Sequence, residues 1–179
     1  MSSKFSEQIA DLQREFNDSL PPVEKWHPEL SGDIDIRIDR EGCWFHEGDL
    51  IKRDSLVKVF SSILKREGEE HFLVTPVEKW RIQVDVAPFY ITSMQREVAD
   101  GVASIAFKTS VGADLLLGSE NPLWLEQNGQ QESLPLVAVR SNLTGLVSRP
   151  VYYELVDTAA EEEEGRYFVE SQGERFWLD

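Results

Sequence analysis

The heptapeptide Asp33-Ile34-Asp35-Ile36-Arg37-Ile38-Asp39 alternates charged and apolar residues without a break. Successive side chains of a strand point to opposite faces, so this run predicts a half-buried strand with its isoleucines on a core and its charges in water. An all-helical fold has no place for it. Helical patterns flank it on both sides. Phe5, Ile9, Leu12, Phe16 and Leu20 form one stripe of an amphipathic helix that Pro21-Pro22 must stop. Two readings of that stripe stay open: docking on the rest of the chain, or presentation to a partner. From Asp54, a candidate N-cap, Leu56, Val57, Val59, Phe60, Ile63 and Leu64 recur at helical spacing as far as Gly68, a candidate C′ residue.

Arg40-Glu41-Gly42 predicts a turn into a second short strand, Cys43-Trp44-Phe45-His46. His71–Val74 and the face Trp80, Ile82, Val84, Val86 predict two more, broken at Thr75-Pro76. Beyond Pro88 the pattern turns β-rich, with runs at Phe89–Met94, Val102–Lys108, Asp114–Leu117, Leu123–Glu126 and Leu136–Arg140 between turn signals, as in a small sandwich or barrel. A helix over Pro150–Asp157 and a hairpin of Tyr167–Glu170 with Arg175–Leu178 around Gly173 close the chain. The expected class is α+β in three parts: the helix at 1–20, a small α+β domain at 21–87 and a β-rich domain at 88–179.

Arg53, Leu56 to Phe60, Phe72-Leu73-Val74 and Trp80-Arg81-Ile82 overlay Arg149, Tyr152–Val156, Tyr167-Phe168-Val169 and Arg175-Phe176-Trp177 at an offset of 95 to 96 residues. A constant offset over helix, strand, reversal and strand is what a duplicated unit leaves, and chance is its rival. Pro-Val-Glu-Lys-Trp occurs at Pro22–Trp26 and Pro76–Trp80 with unlike flanks, which predicts two similar turns leading into strands.

Eighteen Lys and Arg stand against 33 Asp and Glu, a net charge of −15. Such a chain is repelled by phosphate backbones and anionic lipid, so nucleic acid and membrane surfaces are not expected partners. With 41% hydrophobic residues it can fill a core. No apolar run reaches the roughly 20 residues of a membrane span, and the first residues are polar, so a cytoplasmic protein is expected. The single cysteine, Cys43, excludes an internal disulfide framework and multi-cysteine metal sites. Beside Trp44 and Phe45 it reads as a small buried thiol. No nucleophile elbow, dinucleotide fingerprint, phosphate-binding loop or His-Glu-x-x-His motif is present. His27, His46 and His71 are scattered.

Two features retain chemical interest. Asp33, Asp35, Arg37 and Asp39 share a strand face, which is either a solvated sheet surface or a carboxylate pair for a divalent cation. Glu161–Glu164 reads as a solvated acidic loop. Conversely, Ser133–Tyr153 contains no acid but carries Arg140 and Arg149, followed at its end by Tyr152 and Tyr153. This is a candidate pocket for a phosphate or carboxylate, unless the arginines pair internally with Glu78 or Glu154.

Gly32-Asp33-Ile34 with Arg37-Ile38, Gly42, Trp44 and Gly48, Ile51 with Arg53 and Leu56-Val57, Phe60-Ser61, Leu73-Val74-Thr75-Pro76-Val77-Glu78-Lys79, and Arg149 with Val151, Tyr152, Glu154 and Leu155 resemble the bacterial family of domains of unknown function number 1285. The resemblance covers about Pro21 to Asp157. It implies a duplicated α+β core whose second half is similar to a pleckstrin-homology barrel, and a role in signal transduction as a ligand-binding subunit with its residues gathered toward the domain interface. The chain departs from the family pattern at Ser110-Val111-Gly112-Ala113-Asp114, where an Asn-x-Gly-Asp is usual, and at Asn121-Pro122-Leu123-Trp124, where a His and an Arg are missing.

The expected function is therefore non-enzymatic: binding of a small anionic ligand or a protein partner in an interdomain groove, without a cofactor, metal or catalytic residue. Arg53, Lys79 and Arg149 would supply charge, Glu78 would orient one of them, and Tyr152 would offer an aromatic wall. The alternative is a small metal-assisted hydrolase or phosphotransfer enzyme built on Asp33 and Asp35.

Overall fold

The structure, a computed structural model, describes residues 3–16, 19–129, 132–162 and 165–179 and divides into two units, Met1–Val86 and Ala87–Asp179. No described helix is long and apolar enough to cross a membrane. Of the acidic run Glu161–Glu164, the last two residues lie outside the described set.

In the N-terminal unit the alternating heptapeptide is the end of β1 (Leu30–Ile38), with Ile36 and Ile38 fully buried and Asp33, Asp35 and Arg37 exposed. β2 (Trp44–His46) and β3 (Asp49–Leu50) continue as an antiparallel meander, followed by α2 (Asp54–Ser62) and the meander β4 (Leu64–Glu67), β5 (Glu70–Val74), β6 (Lys79–Val84). The sheet order is β3-β2-β1-β6-β5-β4, with β1 and β6 parallel at its centre. Gly32 has φ +141, a backbone conformation that favours glycine, and the Trp80 indole packs over β1 at 3.4 Å from where a Cβ would stand.

The helix expected to run from Asp54 to Gly68 is shorter. It ends at Ser62, and Leu64–Glu67 is strand β4. Ser61 and Ser62 donate their hydroxyls to the carbonyls of Lys58 and Val59 at 2.8 and 2.7 Å, closing the last turn, while Gly68 (φ +60) serves the β4–β5 reversal. Arg53, not Asp54, is the N-cap residue, and no side chain caps the helix.

α1 (Ser3–Glu15) is also shorter than its stripe. Phe5, Ile9 and Leu12 are buried, whereas Leu20 lies outside the helix and is 58% exposed. Phe5 stacks on Phe60 at 6.4 Å between centroids and meets Trp80 edge-on at 6.2 Å. Within its unit, α1 is therefore core.

The C-terminal unit opens with β7 (Phe89–Ala99), β8 (Val102–Thr109), β9 (Asp114–Leu116), β10 (Leu123–Gln127), β11 (Ser133–Arg140) and β12 (Leu143–Val147). Their order is β10-β11-β12-β7-β8-β9, with β12 and β7 parallel. Read from the other edge this is the order of the first sheet, so β1–β6 and β7–β12 are duplicates in topology. α3 (Arg149–Asp157) follows, then a separate sheet of β13 (Ala160–Glu161), β14 (Tyr167–Ser171) and β15 (Glu174–Trp177). Ser171, fully buried, ties this small sheet to the large one: its Oγ accepts from the Ile105 amide at 2.9 Å and donates to the Leu117 carbonyl at 2.7 Å. Strands β3, β12 and β13 had no counterpart in the sequence reading.

Candidate functional site

On the exposed face of the N-terminal sheet, charges from neighbouring strands pair. Arg81 on β6 reaches Asp33 on β1 and Glu70 on β5, both at 2.7 Å. Arg37 holds the Asp85 carboxylate, and this hydrogen-bonded pair lowers the carboxyl's pKa while raising the guanidinium's. Asp39 accepts the amides of Glu41 and Cys43, each at 2.9 Å, and so builds the β1–β2 turn. This acidic face is a cross-strand ion-pair ladder. Among the described residues no group of three His, Cys, Asp or Glu is placed to hold a metal ion.

Near the same strand lies a half-open cavity of about 240 Å³, lined by Phe5, Ile34, His46 and Trp80 with Asp33, Asp35 and Glu47. Burial raises the pKa of Cys43, and Asp39 and Glu41 raise it further. A thiol kept protonated is a poor nucleophile.

The stretch Thr75–Lys79 is a turn organised by one buried hydroxyl. Thr75 Oγ1 accepts the amide of Glu78 at 3.0 Å and donates to the side-chain oxygen of Gln8 on α1. Gln8 in turn donates to the Glu78 carboxylate at 2.8 Å. The motif that most specifically carries the family resemblance thus fastens the N-terminal helix. Lys79, half-buried, donates to Glu67 at 2.8 Å and lies 5.0 Å above the Phe72 ring; that hydrogen bond holds the Glu67 carboxyl below its ordinary pKa. Lys65 is buried beside them, its ammonium donating to the Trp26 carbonyl at 3.0 Å.

Arg53, exposed at the head of α2, donates through Nε to Ser55 Oγ at 3.0 Å. In the C-terminal unit, Arg149 opens α3, is exposed, and its guanidinium has no hydrogen-bond or ion-pair partner among the described residues. Ser148 precedes it without capping the helix through its side chain. Tyr152, one turn on, donates its hydroxyl to the Leu178 carbonyl at 2.9 Å; burial and then Asp179 raise its pKa. Arg140 is half-buried, 5.0 Å above the Phe89 ring.

Of the five residues expected to form a site, Glu78 and Lys79 are adjacent in one turn and Arg149 and Tyr152 share the first turn of α3. Four of them have polar atoms committed inside their own unit: Arg53 to the nearby Ser55, and Glu78, Lys79 and Tyr152 to residues farther away in the chain. Their partners Gln8, Glu67 and Leu178 escaped the sequence reading because nothing local in the sequence marks contacts over such separations.

Two six-stranded sheets of the same order, each with a parallel pair at its centre, define a duplicated, strand-rich α+β protein. The chain belongs to the DUF1285 family: the N-terminal domain of that family, a domain of unknown function, matches residues 21–87, and its C-terminal domain, from a protein of unknown function, matches residues 88–178. The match begins after α1. A crystal structure of a DUF1285 family protein from Silicibacter pomeroyi DSS-3 is similar at a TM-score of 0.84 and 38% identity, over 95% of this chain and 93% of that one. A second, from Shewanella baltica OS155, has a TM-score of 0.53 and 27% identity over 68% of this chain and 90% of that one. No curated protein matches the chain.

Proposed function

We propose that this chain is a non-catalytic binding subunit, of the kind used in signalling, and that its ligand is a small anion held by Arg149. The observation that carries the reading is Arg149. In a chain with 33 acids its guanidinium stands exposed, without an ion pair among the described residues, in a stretch free of Asp and Glu. It opens a helix with no side-chain cap, where the peptide dipoles add to its charge. Tyr152, one turn on and already bonded to the Leu178 carbonyl, serves as a positioning group. The metal-assisted alternative gains nothing from the geometry, since Asp33 is bonded to Arg81.

The test is a thermal-shift panel of inorganic phosphate, nucleotides, sugar phosphates and dicarboxylates on the purified chain. A ligand at about 100 times its Kd stabilises the native state by about 2.7 kcal/mol. One anionic class should raise the midpoint, with the shift lost in Arg149→Ala. Silence across the panel, or a shift that survives in Arg149→Ala, overturns the anion reading and leaves a protein partner.

A further inference from the structure

A second cavity lies within the C-terminal unit and uses none of the residues above. β9 pairs with β8 from Ala106 onward, so the earlier residues of β8 and the facing part of β7 run on as a two-stranded hairpin to the turn at Asp100-Gly101. Opposed pairs on an antiparallel ladder share a face. The pairs Arg96–Ile105 and Val98–Ala103 therefore place four side chains on one side of this hairpin. It is the core side: Ile105 is fully buried and Ala103 is 7% exposed. Further out the same face leaves the core, and Val98 is 57% exposed. Arg96 is exposed too, and its guanidinium has no partner among the described residues.

Across from this face stand Phe168 and Val169 of β14, with Ala160 and Thr158 leading into it, and the space enclosed is about 270 Å³, half open to solvent. The walls are apolar and already ordered. Phe168 is 8% and Val169 2% exposed, and Phe168 is fixed by an edge-on contact with Trp177 at 5.5 Å between centroids. The Thr158 hydroxyl is committed to the Leu155 carbonyl at 2.9 Å. Arg96 is thus the cation of the cleft, and Glu170 its acid. An apolar wall with one convergent guanidinium suits a ligand with an apolar body and a planar anionic head. Glu170 opposes a second negative charge on the ligand, as does the net charge of −15. The volume lies just under the roughly 300–1,000 Å³ of drug-sized sites, which limits the body to a single ring or a short chain.

We infer that this cleft binds a small monocarboxylate, its carboxylate on Arg96 and its apolar body against Val98, Ala103, Phe168 and Val169. The inference stands apart from the anion reading of Arg149. The experiment is a titration of the whole chain with phenylacetate, followed by the backbone amide resonances of Gly101, Ala103 and Val169. Saturable shifts confined to these amides are expected. A charge-assisted hydrogen bond lost to a neutral group costs about 1.5–3 kcal/mol, so phenylethanol should bind at least about tenfold more weakly. Arg96→Gln, at an exposed position, should weaken phenylacetate to the level of the alcohol, and Val98→Asp should abolish binding with Arg96 still in place. Arg149→Ala should change nothing. Absence of saturable shifts at these amides, equal binding of phenylethanol, or unchanged binding in Arg96→Gln overturns the inference. Equal binding of inorganic phosphate at the same amides also overturns it, because the apolar body would then contribute nothing.

Discussion

His71 makes the N-terminal unit sensitive to mild acid. It sits in the middle of β5, paired with Arg66 on β4 and Ile82 on β6, and its Nε2 is buried without a hydrogen-bond partner. Burial, and secondarily the Arg66 charge, lower its pKa from 6.5 to about 4, with Glu69 opposing weakly. The unfolded chain therefore takes up a proton below pH 6.5 that the folded chain accepts only near pH 4. Stability is full above 6.5 and is lost as the pH falls toward 4. Over the whole window the shift corresponds to about 3 kcal/mol, and between pH 7.5 and 5.0 to about 2 kcal/mol. Solvent reaching the part-exposed ring reduces the latter to between roughly 1 and 2 kcal/mol. The stability contributed by Glu67 and Asp85, held low by their partners, is lost as the pH falls below their ordinary values of 4.5 and 3.8, under the pH 5.0 end of the comparison. The assay is urea unfolding at the two pH values, read from the amide signals of Phe72 and Arg81, for the native chain and for His71→Gln. The native chain should lose that much more stability on acidification than the variant. Equal losses would refute the reasoning, since the acid sensitivity would then reside elsewhere.

Two further outcomes follow from packing. Phe5→Ala removes a fully buried ring stacked between Phe60 and Trp80 and should cost the N-terminal unit about 3–5 kcal/mol, measured by urea unfolding; a loss under about 1 kcal/mol would show that α1 is not part of that core. Ser171→Ala leaves the Ile105 amide and the Leu117 carbonyl without their partner and should cost about 1–3 kcal/mol, with hydrogen exchange accelerated first at Ile105; unchanged protection there would contradict the tie between the two sheets.

Local physics was legible and distant contacts were not. The Asp33–Asp39 alternation located β1 because one buried face imposes a period of two, and Asp100-Gly101 marked a hairpin because a tight turn needs two positive φ angles, here 52 and 80. Ile63 and Leu64 continue the helical spacing toward Gly68, so the sequence extends the helix over Leu64–Glu67, and only pairing with β5 makes that stretch a strand. Leu143–Val147 was passed over because its glycine looks like a breaker. The glycine serves packing instead: a Cβ at Gly145 would stand 3.2 Å from the Ile91 and Val139 side chains, closer than ordinary contact. The candidate site was less legible for the same reason. Arg149 could be singled out by the missing acids around it, whereas the engagement of Glu78 by Gln8, 70 residues away, exists only in the folded chain.

The overlay at 95 to 96 residues and the duplication of the two sheets are different correspondences: the first lays β4-β5-β6 over β13-β14-β15, the second lays it over β10-β11-β12. The offset of 95 to 96 residues links α2 and the meander β4-β5-β6 to α3 and the meander β13-β14-β15, and both segments are a helix followed by three antiparallel strands. The larger correspondence, β1–β6 with β7–β12, runs at another offset: Leu30 to Phe89 is 59 residues, and Lys79 to Leu143 is 64. It leaves no constant spacing because the second copy has no helix between β9 and β10 and has longer strands. What the two copies share is a rule of connection, two meanders joined by a parallel central pair, which many sequences satisfy if the buried positions are apolar. In the first copy β6 completes the six-stranded sheet by pairing with β1. The second meander after α3 pairs with no strand of the large sheet; the Ser171 side chain joins it there, and the Gln172 amide donates to the Ala103 carbonyl at 2.8 Å. That joint lies beside the open cleft of Arg96, so the added meander, which has no counterpart within the six strands of the first sheet, forms one wall of the space available to a ligand.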